Sequence, residues 1–136
     1  MGSQQVIVLD THALVWWFTG APGLSARARR TIQSAARRGP LAASAISVFE
    51  IATAVRRERL KIGISLDQWL RDLRTLPELR FEPVTADIAH LAGTLDRSLP
   101  GDPADRIIVA TAMTLQAKLV TANVHLRRLR QVDTVW

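Results

Sequence analysis

The sequence predicts an α/β sandwich built around a mostly parallel sheet. Three observations predict it. Short, apolar, β-branched runs alternate along the chain with segments of helical periodicity. Most of those helical segments open on a capping residue, and three of them close on Gly or Pro. The 136 residues are 48% hydrophobic and 22% charged, which suits a globular domain with a real core. No internal repeat, low-complexity tract or linker divides the chain, so residues 1–136 read as a single domain.

The elements follow in order. Gln5 to Leu9, ending at Asp10, reads as a buried first strand, and THALVWWF as a short helix after it. Gly20, Pro22 and Gly23 mark a loop. Ser25 caps a helix to about Arg38, closed by Gly39 and Pro40. Leu41 to Ala45 is a second strand. Ser47 and Glu50 have capping-box spacing and open a helix through about Leu60. Ser65 and Gln68 repeat that spacing before a helix over Leu66 to Leu76, whose Leu66, Trp69, Leu70 and Leu73 share one face. Arg80 to Val84 is a third strand, and Thr85 caps a helix to about Leu95. Ser98 to Asp102 forms a loop, and Pro103 suits the first position of a helix to about Gln116. Lys118 to Thr121 is a fourth strand. Asn123 starts a helical turn, and Thr134 to Trp136 reads as a last edge strand.

Composition narrows the function. With no cysteine, disulfides and thiolate metal sites are excluded, which fits a reducing compartment. The longest apolar stretches, VIVL and IIVATAM, are too short to cross a bilayer. The N-terminus lacks a basic region and a small-residue cleavage site, so no signal peptide is predicted and the expected location is cytoplasmic. The net charge of +6 favours a polyanion or an acidic partner.

The acids carry the chemistry. Asp10 follows the first strand, Glu50 lies in the first turn of the helix after the second, and Asn123 lies just past the fourth. In a parallel sheet these strand-to-helix junctions share one edge, outside which ligands bind. Asp102 and Asp105, three apart at a helix start, face the same way. If that helix start joins the same edge, four carboxylates converge. Uncompensated, they raise one another's pKa, and a hard cation such as Mg²⁺ or Mn²⁺ resolves the repulsion. Each position also has a plainer reading. Asp10, Asp102 and Asn123 suit N-caps, and Glu50 and Asp105 suit the third helical position, where an acid favours the helix dipole.

What capping does not predict is the order of motifs. VLDTHALVWWF, SAISVFEIA, GDPADRIIVATA, LVTAN and VDTVW, in that order and spacing, resemble the segments of PIN domains, in particular VapC-like toxins of bacterial VapBC toxin–antitoxin systems. The resemblance implies a three-layer α/β/α, PIN-like fold with a central sheet of about five strands. It implies an endoribonuclease that hydrolyses RNA phosphodiesters with Mg²⁺ or Mn²⁺ held by Asp10, Glu50, Asp102 and Asp105. Thr11 and Ser47 would support that site by hydrogen bonding, and Asn123 occupies the fourth-acid position, usually Asp. Asn keeps one oxygen that can bind a metal or a metal-bound water, but it loses a charge and cannot act as a base, so weaker binding of a second metal and low or absent turnover are expected; the plainer reading is an N-cap asparagine with activity retained. Asn123 is either the natural residue or an inactivating substitution. The resemblance also implies a VapB-like antitoxin that blocks the acidic pocket, and a homodimer.

Among the arginine groups, Arg56 and Arg57, beyond Glu50, and Arg127 and Arg128, beyond Asn123, are the best placed to hold RNA. Arg106 reads as a structural or pairing partner beside Asp105. Trp16 and Trp17, about 100° apart on a helix, fit either a broad buried face or a partner contact, with base stacking a further option. His12 reads as a helix-start residue. A second function class keeps the fold but binds RNA or antitoxin without cutting, and Asn123 is its main support. A phosphatase would need an Asp where His12 stands, and a receiver domain would need an acid pair and a lysine that do not occur.

Overall fold

A computed structural model describes residues 6–99 and 101–136. Five strands, β1 (Ile7–Leu9), β2 (Leu41–Ser44), β3 (Leu79–Glu82), β4 (Lys118–Val120) and β5 (Thr134–Val135), form one sheet in the order β3-β2-β1-β4-β5. All four pairings are parallel. Seven helices fill the connections: α1 (Thr11–Thr19), α2 (Ala26–Arg38), α3 (Ile46–Arg56), α4 (Leu66–Arg74), α5 (Ala86–Thr94), α6 (Pro103–Thr114) and α7 (Val124–Arg127). Gln5 and Pro100, assigned from sequence to the first strand and to the loop before α6, lie outside the described residues.

The strands alternate between two cores, as the two-residue period of a pleated strand requires. Ile7, Leu9, Leu41, Ala43, Leu79 and Val120 face α1, α2, α3 and α4, where Leu14, Ile32, Ile51, Trp69 and Leu73 are buried. Val8, Ala42 and Leu119 face α6 and α7, against Ile108, Val109, Ala112 and Leu126. Helix α5 closes over α6 through Ile88, Ala92 and Ala110. The result is the expected three-layer α/β/α sandwich, with the sheet entirely parallel.

Most caps are where the sequence puts them. Ser25, Ser65 and Thr85 accept the backbone N–H groups of Ala28, Gln68 and Ile88. Gly20, at φ 71°, closes α1 in the left-handed region that glycine enters without steric cost.

The expected start and end of α3 are corrected. The helix begins at Ile46, and its cap position, Ala45, has helical backbone angles and no capping side chain. The hydroxyl at this end is Ser44, which accepts the Ile46 N–H at 3.1 Å. Ser47 is therefore fully buried inside the first turn, and Glu50 lies beyond that turn, so no capping box forms. The helix stops at Arg56 rather than Leu60. Glu58 adopts φ 59°, while the N–H groups of Glu58 and Arg59 return to the carbonyls of Val55 and Ala54. That is a Schellman closure without glycine. Gln116, at φ 53°, ends α6 in the same way, with Ala117 N–H bonded to Ala112 O.

Candidate active site

The carboxyl edge of the sheet gathers the predicted acids. Asp10 leaves β1 while its backbone N–H stays bonded to Val120 of β4 at 3.1 Å, and its side chain is buried. One carboxylate oxygen caps α1 by accepting the Ala13 N–H at 2.9 Å. Burial pushes the Asp10 pKa up, against the opposing pull of the Thr121 hydroxyl, the Ala13 N–H and the nearby His12.

Glu50 reaches the same edge from α3. A hydroxyl relay holds it: Thr11 Oγ donates to Glu50 Oε1, and the Thr11 and Ser47 hydroxyls lie 2.8 Å apart. Because Thr11 spends its proton on Glu50, Ser47 must donate to Thr11. Ser47 thus bonds Thr11 and does not cap the helix. Desolvation raises the Glu50 pKa, Thr11 lowers it, and the charges of Asp102 and Asp10 raise it further.

The start of α6 joins this edge. Asp102 Oδ1 caps the helix by accepting from Ala104 N–H at 2.9 Å and Asp105 N–H at 3.4 Å. Asp105 is pushed up to about 6, first by desolvation and then by Asp102, Glu50 and Asp10. Sequence reasoning left the position of this helix start open; the charge of Asp102 felt at Glu50, and those of Glu50 and Asp10 felt at Asp105, set it beside the other two acids. Arg106 makes no salt bridge with Asp105. Its guanidinium donates to the carbonyls of Ala92, Leu95 and Leu99, tying α6 to the end of α5 and the following loop.

Capping and clustering are therefore both true of Asp10 and Asp102. Each spends one oxygen on a helix start and keeps the other. Asn123 differs. Its only side-chain oxygen accepts the His125 N–H at 2.9 Å, capping α7; the rest of the group is an uncharged NH₂ that cannot bind a cation, where an Asp would have a second, charged oxygen.

The donors are carboxylate oxygens, with no thiolate anywhere in the chain, which suits a hard divalent cation. Among the described residues, no three acidic or imidazole side chains are gathered tightly enough to cage an ion alone. Mg²⁺ does not require such a cage, since one or two carboxylates, waters and substrate phosphates complete its octahedron. The residues present fit that mode.

Thr121 was missed by the sequence reading. It is fully buried past β4, its hydroxyl acts on Asp10, and it accepts the Asn123 N–H at 3.1 Å. A polar residue at the end of a buried parallel strand was the available signal. His12, expected as a plain helix-start residue, is exposed and close enough to lower Asp10, Glu50 and Asp105 electrostatically. Its ring lies 5.5 Å from Trp16, which lies 5.8 Å from Trp136. Trp17 packs against the core. Arg127 and Arg128 lie within two turns of Asn123, whereas Arg56 and Arg57 are exposed at the end of α3 remote from the carboxyl edge, about 9 Å along the axis from Glu50.

A parallel sheet with acids from β1, α3 and α6 at its carboxyl edge is the arrangement the ordered motifs anticipate. The PIN domain model matches residues 7–132, and the chain belongs to the PIN-domain family. Within it the chain is VapC-like: it is 38% identical to Ribonuclease VapC22 of Mycobacterium tuberculosis over 132 residues, covering 96% of this chain and 98% of that protein. The fold is also that of two solved structures. VapBC2 from Rickettsia felis, bound to a promoter DNA fragment, matches at TM-score 0.71 and 19% identity, over 96% of this chain and 97% of that one. FitAcB from Neisseria gonorrhoeae matches at TM-score 0.69 and 22% identity, with the same coverage. No helix among the described residues is long and apolar enough to cross a membrane.

Proposed function

We propose that this chain is a metal-dependent endoribonuclease of the VapC type, hydrolysing RNA phosphodiesters with Mg²⁺ or Mn²⁺ and restrained by a VapB-like antitoxin. The observation that carries this reading is the convergence of Asp10, Glu50, Asp102 and Asp105, three of them with raised pKa values, at one edge of a parallel sheet. A cation among such groups offsets their repulsion and favours their ionised forms. The relation to a ribonuclease and to toxin–antitoxin complexes supports the substrate and the partner.

The cation would be held by Asp10 and Asp105, with Glu50 and Asp102 completing the acidic ring. When bound it supplies Lewis-acid stabilisation of charge on the phosphate and activation of the attacking water. The chain's own residues do the rest. Thr121 and the Ala13 N–H fix the Asp10 carboxylate. The Ser47–Thr11 relay turns Glu50 toward the cluster. Asp105, whose pKa is pushed up to about 6 by burial and by the neighbouring carboxylates, stands to gain most from a cation that offsets that repulsion. Asn123, with one oxygen shared with its cap and no charge, gives the far side of the site a weaker ligand than Asp would, so the chain turns over slowly and a second ion binds weakly.

The test is cleavage of total RNA with added Mn²⁺ or Mg²⁺. Cleavage by this chain or by Asn123→Asp, stopped by EDTA and by Asp10→Asn, is the expected result. Absence of cutting in both backgrounds with either metal would leave a protein that binds without hydrolysing, and would overturn the enzymatic reading.

A further inference from the structure

Three arginines and a tryptophan, drawn from three parts of the chain, meet at the same sheet edge as the acids but on its other side. Arg27 of α2, Val124, Arg127 and Arg128 of α7 and its cap, and Thr134 and Trp136 at β5 line a groove of about 380 Å³. The sheet order sets β5 beside β4, and all strands run parallel. Trp136, just past β5, therefore emerges at the carboxyl edge next to Asn123, just past β4. The Thr121 N–H bonds Val135 O at 3.1 Å and locks that adjacency.

No Asp or Glu side chain lines the groove. Among the described residues the only salt bridge is Arg80–Glu82, on the opposite edge strand, so Arg27, Arg127 and Arg128 stand in no ion pair. All three are exposed, while Trp136 is half-buried, packed on the core and in line with Trp16 and His12. Gly23 lets Trp16 lie flat in this chain of rings: a Cβ there would come within 2.3 Å of the indole.

We propose that this groove is the docking track for a single-stranded RNA segment flanking the scissile phosphate, with Arg27, Arg127 and Arg128 on backbone phosphates and a base stacked on Trp136. The assignment rests on the ribonuclease reading of the adjacent carboxylates. A cluster of acids repels a polyanion, so the strand needs cations beside the site to hold it there. An aromatic face among the cations favours unpaired bases, which stack irrespective of identity, whereas in a duplex the base faces are already covered.

The test measures anisotropy of a fluorescein-labelled single-stranded RNA of about 10 nucleotides, titrated with the full chain in EDTA over a range of salt. Replacing Arg27, Arg127 and Arg128 together by Gln is expected to weaken binding at least tenfold at low salt. It should also lower the slope of log K against log salt by about 2, the loss of three single-strand phosphate contacts. Trp136→Leu keeps an apolar group on the core; it is expected to weaken binding about tenfold with the slope unchanged. Arg71→Gln with Arg74→Gln, on α4, changes neither. A folded triple-Gln variant with the parent's affinity and slope would overturn the proposal. So would oligo-glutamate bound as tightly as RNA with no effect of Trp136→Leu, which would make the groove a seat for an acidic peptide. Running the cleavage assay in parallel separates the two readings. Cleavage with groove-independent binding sinks the groove alone, and groove-dependent binding without cleavage sinks the enzymatic reading alone.

Discussion

The two halves of the carboxyl edge are built by the same local device and end with opposite character. At β1 and at the start of α6, an Asp caps the helix. At β4, an Asn caps the helix. All three satisfy an orphan N–H equally well. The difference is what remains. A carboxylate that caps with one oxygen still has a second oxygen and a charge; a capping amide has neither a second oxygen nor a charge. The β1–α6 side thus becomes an acidic cluster with raised pKa values. The β4–β5 side, with Asn123 at its border, opens into an arginine-lined groove. Capping is no argument against a catalytic role; the identity of the cap decides whether a role is left over.

The sharpest way to break this comparison is to make the first side resemble the second. Asp10→Asn keeps the Ala13 cap and removes the charge. It is expected to cut RNA at least about a hundredfold more slowly, with a melting temperature equal to or above the parent's because a desolvated charge is gone. A parallel loss of stability would mean that the position is structural.

Arg106→Met comes next. It leaves the carbonyls of Ala92, Leu95 and Leu99 without their shared donor, and is expected to cost about 2–3 kcal/mol in urea unfolding. An unchanged unfolding midpoint would show that α6, and with it Asp102 and Asp105, is held by apolar packing alone.

The reverse exchange sharpens the comparison. Asn123→Asp keeps the His125 cap and adds the missing oxygen. Metal affinity and cleavage are both expected to rise about tenfold, read from Mn²⁺ dependence of the rate. No change would place Asn123 outside the reacting site.

The smallest effect is on pH dependence. Asp105 has a folded pKa of about 6, well above the ordinary aspartate value, so the folded state binds its proton more tightly. Its contribution to stability is present at low pH and is lost as pH rises through about 6. Metal-free protein should therefore lose stability between about pH 4 and pH 6.5 on account of this group, and Asp105→Asn should flatten that slope. Mn²⁺ should raise the melting temperature more at pH 7.5 than at pH 5, where the proton competes. Melting curves with equal metal effects at both values would contradict this.

The fold was legible because parallel-sheet strands and amphipathic helices carry strong periodic signals, and because Gly20, Gly39 and most side-chain caps are visible as residue types. What escaped were closures that carry no such mark. Glu58 and Gln116 adopt left-handed conformations held by backbone hydrogen bonds, so the ends of α3 and α6 were set too late. Ser47 had the spacing of a cap, but Ser44, at the end of β2, takes the helix-start N–H and frees Ser47 for Thr11. The acids at β1 and α3 were legible because topology alone sends such junctions to one edge. Thr121 and the groove were not, since both depend on β5 lying beside β4 and α2 packing on β5, long-range adjacencies that no local pattern encodes.

The most direct measurement of the central claim is calorimetric titration of Mn²⁺ into the full chain, Asp10→Asn and Asn123→Asp at pH 7.5. The account predicts binding by the full chain, its loss in Asp10→Asn, and tighter binding in Asn123→Asp. Binding that is absent from all three, or that survives Asp10→Asn unchanged, would contradict it.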